Sequence, residues 1–256
     1  IFMSETAKFA NVVLPGASFF EKSGTFTNGE RRVQRVNEVI LPLAGTKTDG
    51  QIVVDIMNRM GIPQPDYTPD GVLAEIARVV PFFKGAVWEK LGDNGKQWPI
   101  QEGCIGTEIL HTDTFKRGLG KFHFFRFQES NEIVRHHAAY PFILTTGRVL
   151  EHYNCGTMTR RTGNARIITE DVLAIHPDDA AAKRIGDGDL VRIFSVRGEV
   201  RMHAKLSDEV KPGILYTTFH FPENLVNAVT SSECDEDTMC PEYKVVAVDV
   251  EPAGAV

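Results

Sequence analysis

No stretch of this sequence approaches the roughly 20 consecutive apolar residues that a helix needs to cross a bilayer, so a membrane span is not expected. The first residues, Ile1-Phe2-Met3-Ser4-Glu5, lack the charged segment and apolar run of a secretory signal. They also lack an initiating methionine, and the start reads as a cut inside a longer protein. Cysteine is scarce: Cys104, Cys155, Cys234 and Cys240 form no C-x-x-C pair, which argues against an iron-sulfur cluster or a structural zinc held by this chain. The spacing of Cys234 and Cys240 permits a disulfide, but reduced thiols are the expected state. Excess positive charge is missing too. A net charge of -6 does not suit a protein that gains affinity by neutralising nucleic-acid phosphates, so no nucleic-acid partner is expected. Finally, there is no H-E-x-x-H, no Walker A loop, and no G-x-G-x-x-G after a strand, which removes the protease, P-loop and nicotinamide fingerprints.

What is present is an ordinary globular composition, 42% hydrophobic and 24% charged over 256 residues, enough for one large domain or two smaller ones. Residues 1–62 read as α/β. Ala10 to Pro15 is a short apolar run ended by proline, as a buried strand would be. Thr48 or Asp49 caps a helix whose Ile52, Val53, Ile56, Met57 and Met60 share a face before Gly61 stops it. One strand and one helix cannot close a sheet, so the remaining strands are expected upstream of residue 1. Residues 63–137 open on prolines and give a second helix, with Thr68 as cap, Pro69 at the first position, and Val72, Leu73, Ile76, Val79 and Val80 at helical spacing. The remainder, from Phe82 to His137, reads as irregular connection.

From residue 138 the pattern turns to β. Strands are predicted at 141–146, 190–196, 199–206 and 245–250, the third alternating Val200, Met202, Ala204 and Leu206 with polar partners. Asp187-Gly188 and Arg197-Gly198 are turn signals. Pro177 opens a short helix to Lys183, with Asp178 and Asp179 in the first turn where the helix dipole favours negative charge. Short strands with one short helix suggest a small closed barrel.

Three clusters could carry binding chemistry. Thr146-Gly147-Arg148-Val149-Leu150-Glu151-His152-Tyr153-Asn154-Cys155, continuing to Arg160 and Arg161, follows directly on a strand. Glycine there lets backbone approach a ligand, and guanidinium forks suit a pyrophosphate, although a solvated surface loop explains the same residues. The second cluster, Thr25 to Gln34 with Glu21 and Lys22 before it, is as readily a wet face. The third joins Phe219-His220-Phe221, Asn227 and Tyr243-Lys244: an asparagine amide can read a base edge and an ammonium can meet a phosphate, yet core and surface roles explain each singly. His136, His137, His176 and His203 read as structural.

Taken in order, these clusters resemble the molybdopterin oxidoreductase superfamily, which includes formate dehydrogenases and periplasmic nitrate reductases. Glu5-Thr6-Ala7, Asn11 to Pro15, Glu21 to Asn28 and Arg31 to Gln34 look like the family's middle segment. Leu144 to Arg148 through Thr157 to Arg161 resembles its C-terminal cofactor loop, and Pro241-Glu242-Tyr243-Lys244 its near-terminal motif. The resemblance implies an α/β remnant followed by a mainly β double-psi barrel, with domains at 1–62, 63–137 as a connection, and 138–256 as the dinucleotide-binding barrel. It implies a bis-molybdopterin guanine dinucleotide cofactor carrying molybdenum or tungsten, with a 4Fe-4S cluster in the parent enzyme whose ligands are absent from this chain. Lys22, Asp49, Thr146 through Cys155, Asn227 and Lys244 would contact the cofactor, and Phe219 would lie toward the substrate channel. No catalytic residue and no metal ligand is carried over, Cys155 included.

Trp88-Glu89-Lys90-Leu91, Gln97-Trp98-Pro99 and His152-Tyr153-Asn154 look more like formate dehydrogenases than nitrate reductases, which commonly have Trp-His-Thr where this chain has Tyr153-Asn154-Cys155. The expected parent activity is formate oxidation to carbon dioxide, with the fragment itself inactive. Expected partners are the rest of the same large subunit, electron-transfer subunits and formate, in the cytoplasm. The alternatives are a nitrate or other oxyanion reductase, a pterin-free electron-transfer subunit, and a barrel used only as a binding module.

Overall fold

In a computed structural model describing residues 1–254, the chain forms two compact units, Ile1–His123 and Phe124–Val256. Within the first, β1 (Gly24–Thr27) and β2 (Arg32–Val36) make an antiparallel hairpin, and β3 (Lys96–Gln97) adds to the β2 edge. The turn closes because the Asn28 amide donates to the Arg32 carbonyl while Arg31 takes a left-handed φ of 69°. The charged run thus forms a hairpin whose tip, residues 26–30, is exposed, as a wet face would be, and the left-handed residue of its turn is Arg31.

Both predicted helices form. In α1 (Asp49–Arg59) the Thr48 hydroxyl accepts from the Gln51 amide at 3.3 Å, satisfying one of the orphan donors at the helix start. In α2 (Pro69–Val79) Thr68 caps Gly71 in the same way at 3.2 Å, with proline at the first position. Gly61 follows α1 at φ 80°, a conformation that costs glycine little. Leu73 of α2 packs with Val33, Ala86, Leu91, Ile100 and Cys104 in the core of this unit, whereas α1 buries no residue fully.

The strand expected at Ala10 to Pro15 does not form. Val12, Val13 and Leu14 are exposed, and the nearest pairing is a single parallel bridge between Gly16 and Lys47. A strand needs a neighbour to take its amides and carbonyls, and hydrophobicity alone does not supply one. The connection from Phe82 to His137 is irregular over 106–130, but it also contributes β3 and α3 (Asn131–His136).

The second unit is built on a closed six-stranded mixed barrel, the architecture that the resemblance implies. Its strands are β4 (Phe142–Thr146), β5 (Leu173–Ile175), β6 (Leu190–Phe194), β7 (Glu199–Leu206), β8 (Ile214–Thr217) and β9 (Val246–Pro252), in the order β4-β8-β5-β7-β6-β9. Alternate residues point inward, so Phe142 and Leu144, Leu173 and Ile175, Val191 and Ile193, and Val246, Val248 and Val250 fill one interior. The short helix α4 (Pro177–Lys183) forms as predicted, and His176 is its cap, Nδ1 accepting from the Asp178 amide at 3.2 Å. The two strands that the pattern missed, β5 and β8, are three and four residues long, too short for alternation to register. All four cysteines are free thiols, with Cys104 buried.

The pairing that matters for the site is β4 with β8. They run parallel with Thr146 opposite Thr217, so both strands end at the same rim, and residues 147 onward and 218 onward leave it side by side.

Candidate functional site

At that rim the Gly147 amide donates to the Thr217 carbonyl at 3.0 Å, extending the ladder by one bond before the chains diverge. Tyr216 lies over Gly147 so closely that a Cβ there would stand 2.2 Å from its phenolic oxygen, and the same hydroxyl donates to the Arg148 carbonyl at 3.3 Å. A side chain at 147 would have to displace the Tyr216 ring. The Arg148 guanidinium then stacks over the Phe219 ring, 5.7 Å from its centroid, which places a cation and an aromatic face together.

Further along, Leu150 and Tyr153 are exposed, while His152 is buried. The His152 ring faces inward, with Nε2 2.9 Å from the Ile168 carbonyl and Nδ1 3.1 Å from the Thr159 hydroxyl. The Glu151 carbonyl accepts from the Asn164 amide at 2.6 Å. Asn154 adopts φ 48°, a left-handed conformation that asparagine tolerates better than most side chains. Cys155 is exposed, 3.0 Å from the Thr157 hydroxyl. Gly156 turns the chain at φ 67°, where a Cβ would lie 2.7 Å from the His220 carbonyl.

Lys244 reaches the same rim from just before β9. Its ammonium donates to the Thr146 carbonyl at 2.5 Å, so the end of β4 and the near-terminal motif are joined directly. Arg160 adds a second stacked cation, 4.7 Å from the Phe221 centroid, and pairs with Glu223 at 2.6 Å. Thr146 through Cys155, Phe219 and Lys244 are therefore brought together. Asn227 is not: it sits exposed in a single turn, Val226–Ala228, with its carbonyl accepting from Thr230, and among the described residues it makes no hydrogen bond to the loop.

Lys22 and Asp49 belong to the first unit, where they form an ion pair with each other. The Lys22 ammonium beside Asp49 holds that carboxyl below the usual carboxylate range. The pair lines a cleft of about 270 Å³ between β1, the start of α1 and α2, with Thr25, Tyr67 and Ile76 on its walls.

Two buried acids escaped the sequence reading. Asp171 is fully buried and accepts from the Thr218 hydroxyl and from the amides of His220 at 3.1 Å and Phe221 at 3.0 Å, so it shapes the segment bearing Phe219. Glu132, also fully buried, receives both Arg197 nitrogens at 3.0 and 2.5 Å, the Ser231 hydroxyl at 3.1 Å and the Ala247 amide at 3.1 Å. Neither sits in a motif, and a lone acid before a short strand or at the start of a short helix carries no signal of burial.

Chemically, the rim offers cations, exposed loop backbone and an aromatic face, a set that fits a phosphate-bearing dinucleotide. Among the described residues no group of three or more His, Cys, Asp or Glu side chains is arranged to hold a metal ion. The closed barrel with this rim defines a dinucleotide-cofactor binding domain. Residues 142–247 match the family described as Molydopterin dinucleotide binding domain, and residues 1–59 match Molybdopterin oxidoreductase. The chain thus carries a molydopterin dinucleotide binding domain and, before it, a segment of the molybdopterin oxidoreductase domain.

Among its relatives is the F420-dependent formate dehydrogenase subunit alpha of Methanocaldococcus jannaschii, 40% identical over 98% of this chain and 38% of that protein. The F420-dependent formate dehydrogenase 2 subunit alpha of Methanococcus maripaludis is 40% identical with the same coverage. The chain thus spans 38% of the length of these curated relatives. Acetylene hydratase from Pelobacter acetylenicus shares the fold, with a TM-score of 0.63 at 15% identity over 94% of this chain and 38% of that one.

Proposed function

We propose that this chain is the C-terminal cofactor-binding portion of the large subunit of a formate dehydrogenase, which oxidises formate to carbon dioxide at a bis-molybdopterin guanine dinucleotide centre carrying molybdenum or tungsten. The observation that carries the reading is the barrel rim, where Arg148, Phe219 and Lys244 converge on a strand-end loop from three separate parts of the sequence. The identity of 40% along almost the whole chain to formate dehydrogenase subunits supports the substrate.

When bound, the cofactor supplies the metal centre at which electrons leave formate. The contribution of this chain is to bind and orient. Arg148 and Lys244 would hold phosphate oxygens by charge-assisted hydrogen bonds, and the backbone of 146–155 would line the cofactor. Lys22, Asp49 and Asn227 would contact it as well, and Phe219 would face the substrate path. A 4Fe-4S cluster belongs to the proposed parent enzyme, with ligands outside this chain.

The proposed partners are the rest of the same subunit and electron-transfer subunits, in the cytoplasm. Val12, Val13, Val39, Leu41 and Leu43 are exposed, and the rest of the subunit would cover them. No helix among the described residues is long and apolar enough to cross a membrane.

The test is metal and pterin analysis of the full-length subunit, combined with formate-dependent dye reduction. The expected result is one molybdenum or tungsten per two pterin dinucleotides, with reduction dependent on formate. Pterin with turnover of nitrate and not of formate would replace this reading by an oxyanion reductase.

A further inference from the structure

We infer that His220 is a positioning residue: a neutral imidazole protonated at Nδ1 that braces loop 146–155 by tying both of its halves to one buried ring. The ring is fully buried. Its Nε2 lies 3.1 Å from the Val149 amide nitrogen, and its Nδ1 meets the Asn154 carbonyl. An amide N–H only donates, so Nε2 must carry the lone pair. A carbonyl only accepts, so Nδ1 must carry the proton. One tautomer satisfies both contacts, and neither the other tautomer nor the imidazolium does.

The bracing is backed on two sides. Behind the ring, the buried Asp171 carboxylate accepts the backbone amides of His220 and Phe221, which fixes where the ring starts. Beside it, with ring centroids 5.8 Å apart, lies the buried His152. Its Nε2 faces the Ile168 carbonyl and must carry a proton, while its Nδ1 meets the Thr159 hydroxyl at 3.1 Å. The Thr159 oxygen in turn accepts from the Tyr153 amide at 3.2 Å. The stretch between Val149 and Asn154 is therefore held by two buried histidines, each with a ring N–H directed at a fixed backbone carbonyl. Such pre-ordering lowers the cost of binding a ligand on the loop.

The consequence for cofactor retention rests on the proposed function, whereas the brace itself does not. The experiment measures hydrogen exchange, resolved at the Val149 amide, in full-length subunit made in a pterin-deficient host. Three variants are compared. In His220→Gln the side-chain oxygen can occupy the Nε2 position and keep the Val149 bond; in His220→Asn the shorter amide reaches only the Nδ1 position; His220→Ala reaches neither. The expected result is Val149 exchange faster by about tenfold or more in the Ala and Asn variants, near wild type in the Gln variant, with barrel peptides over 190–206 unchanged. The inference is overturned if Val149 exchange is unaltered in the Asn variant, if Asn and Gln behave alike, or if the barrel peptides speed up in parallel. Pterin content of the same variants, made in a competent host, separates the two readings. Faster Val149 exchange with full pterin retention would keep the brace and reject the loop as a cofactor contact. Lost pterin with unchanged Val149 exchange would reject the brace.

Discussion

Lys244 and Thr146 are 98 residues apart in sequence, yet the ammonium of one donates to the carbonyl of the other at 2.5 Å. An ammonium has three donors, and this bond uses one of them, aiming the head at the barrel rim with donors left for an anion. Lys244→Met keeps the length of the stem and removes the charge. It is expected to lower pterin content of the full-length subunit by about tenfold, since a bond to a charged group contributes roughly 1.5–3 kcal/mol. Fluorescence of the oxidatively released pterin measures this, and undiminished content would remove Lys244 from the site.

Arg148 makes a different contribution, because its guanidinium is both charged and stacked on Phe219. Arg148→Ala is expected to weaken cofactor retention by about 2 kcal/mol, close to thirtyfold. Arg148→Lys restores the charge but not the flat stacking fork, so it should recover only part of the loss. Equal retention in the Lys and wild-type proteins, measured by pterin release during dilution, would show that the stacking is irrelevant.

Much of this fold is legible in the sequence because caps and alternation are local signals. Thr48 and Thr68 announce α1 and α2, and Val200, Met202 and Ala204 announce β7. The apolar run at 10–15 misled, because strand formation depends on a neighbour that no local pattern encodes. Residues 146–155, Phe219 and Lys244 could be named from motif order, but not that β4 and β8 pair in parallel and deliver two of those segments to one rim. Buried polar groups were the least legible. Asp171 and Glu132 are chemically ordinary in sequence, and their roles arise from partners 47 and 65 or more residues away.

Glu132 also gives a prediction about pH. Burial alone would raise its carboxyl, but Arg197, the Ala247 amide and Ser231 together outweigh it, and the group titrates below its ordinary value near 4.5. The folded value being the lower one, the stabilisation is complete above about pH 4.5 and is lost as pH falls through the folded value. Glu132→Gln strands the half-buried Arg197 and is expected to cost about 3 kcal/mol at neutral pH. It should also flatten the dependence of stability on pH below the ordinary carboxylate range. Chemical denaturation of the wild-type and variant full-length subunits, followed from neutral to acid pH, reads both effects. An unchanged acid limb would show that other carboxylates govern it.

Asn227 separates a dinucleotide site from generic anion binding. It is exposed in its turn, its carbonyl already takes the Thr230 hydroxyl, and its side-chain amide makes no hydrogen bond among the described residues. An exposed amide with no partner in the protein can donate and accept at once, as a base or pterin edge requires. Asn227→Asp preserves size, removes the donor pair and adds a negative charge, which harms a site lined by phosphate or pterin acceptors far more than a free surface. Because the turn depends on backbone and on the buried Val226, the variant should fold with an unchanged melting temperature. Cofactor content or formate turnover of the full-length enzyme is expected to fall by about tenfold or more, the equivalent of one hydrogen bond to a ligand. Wild-type levels of both would withdraw Asn227 from the site and leave the rim formed by Arg148, Phe219 and Lys244 as the extent of the contact in this unit.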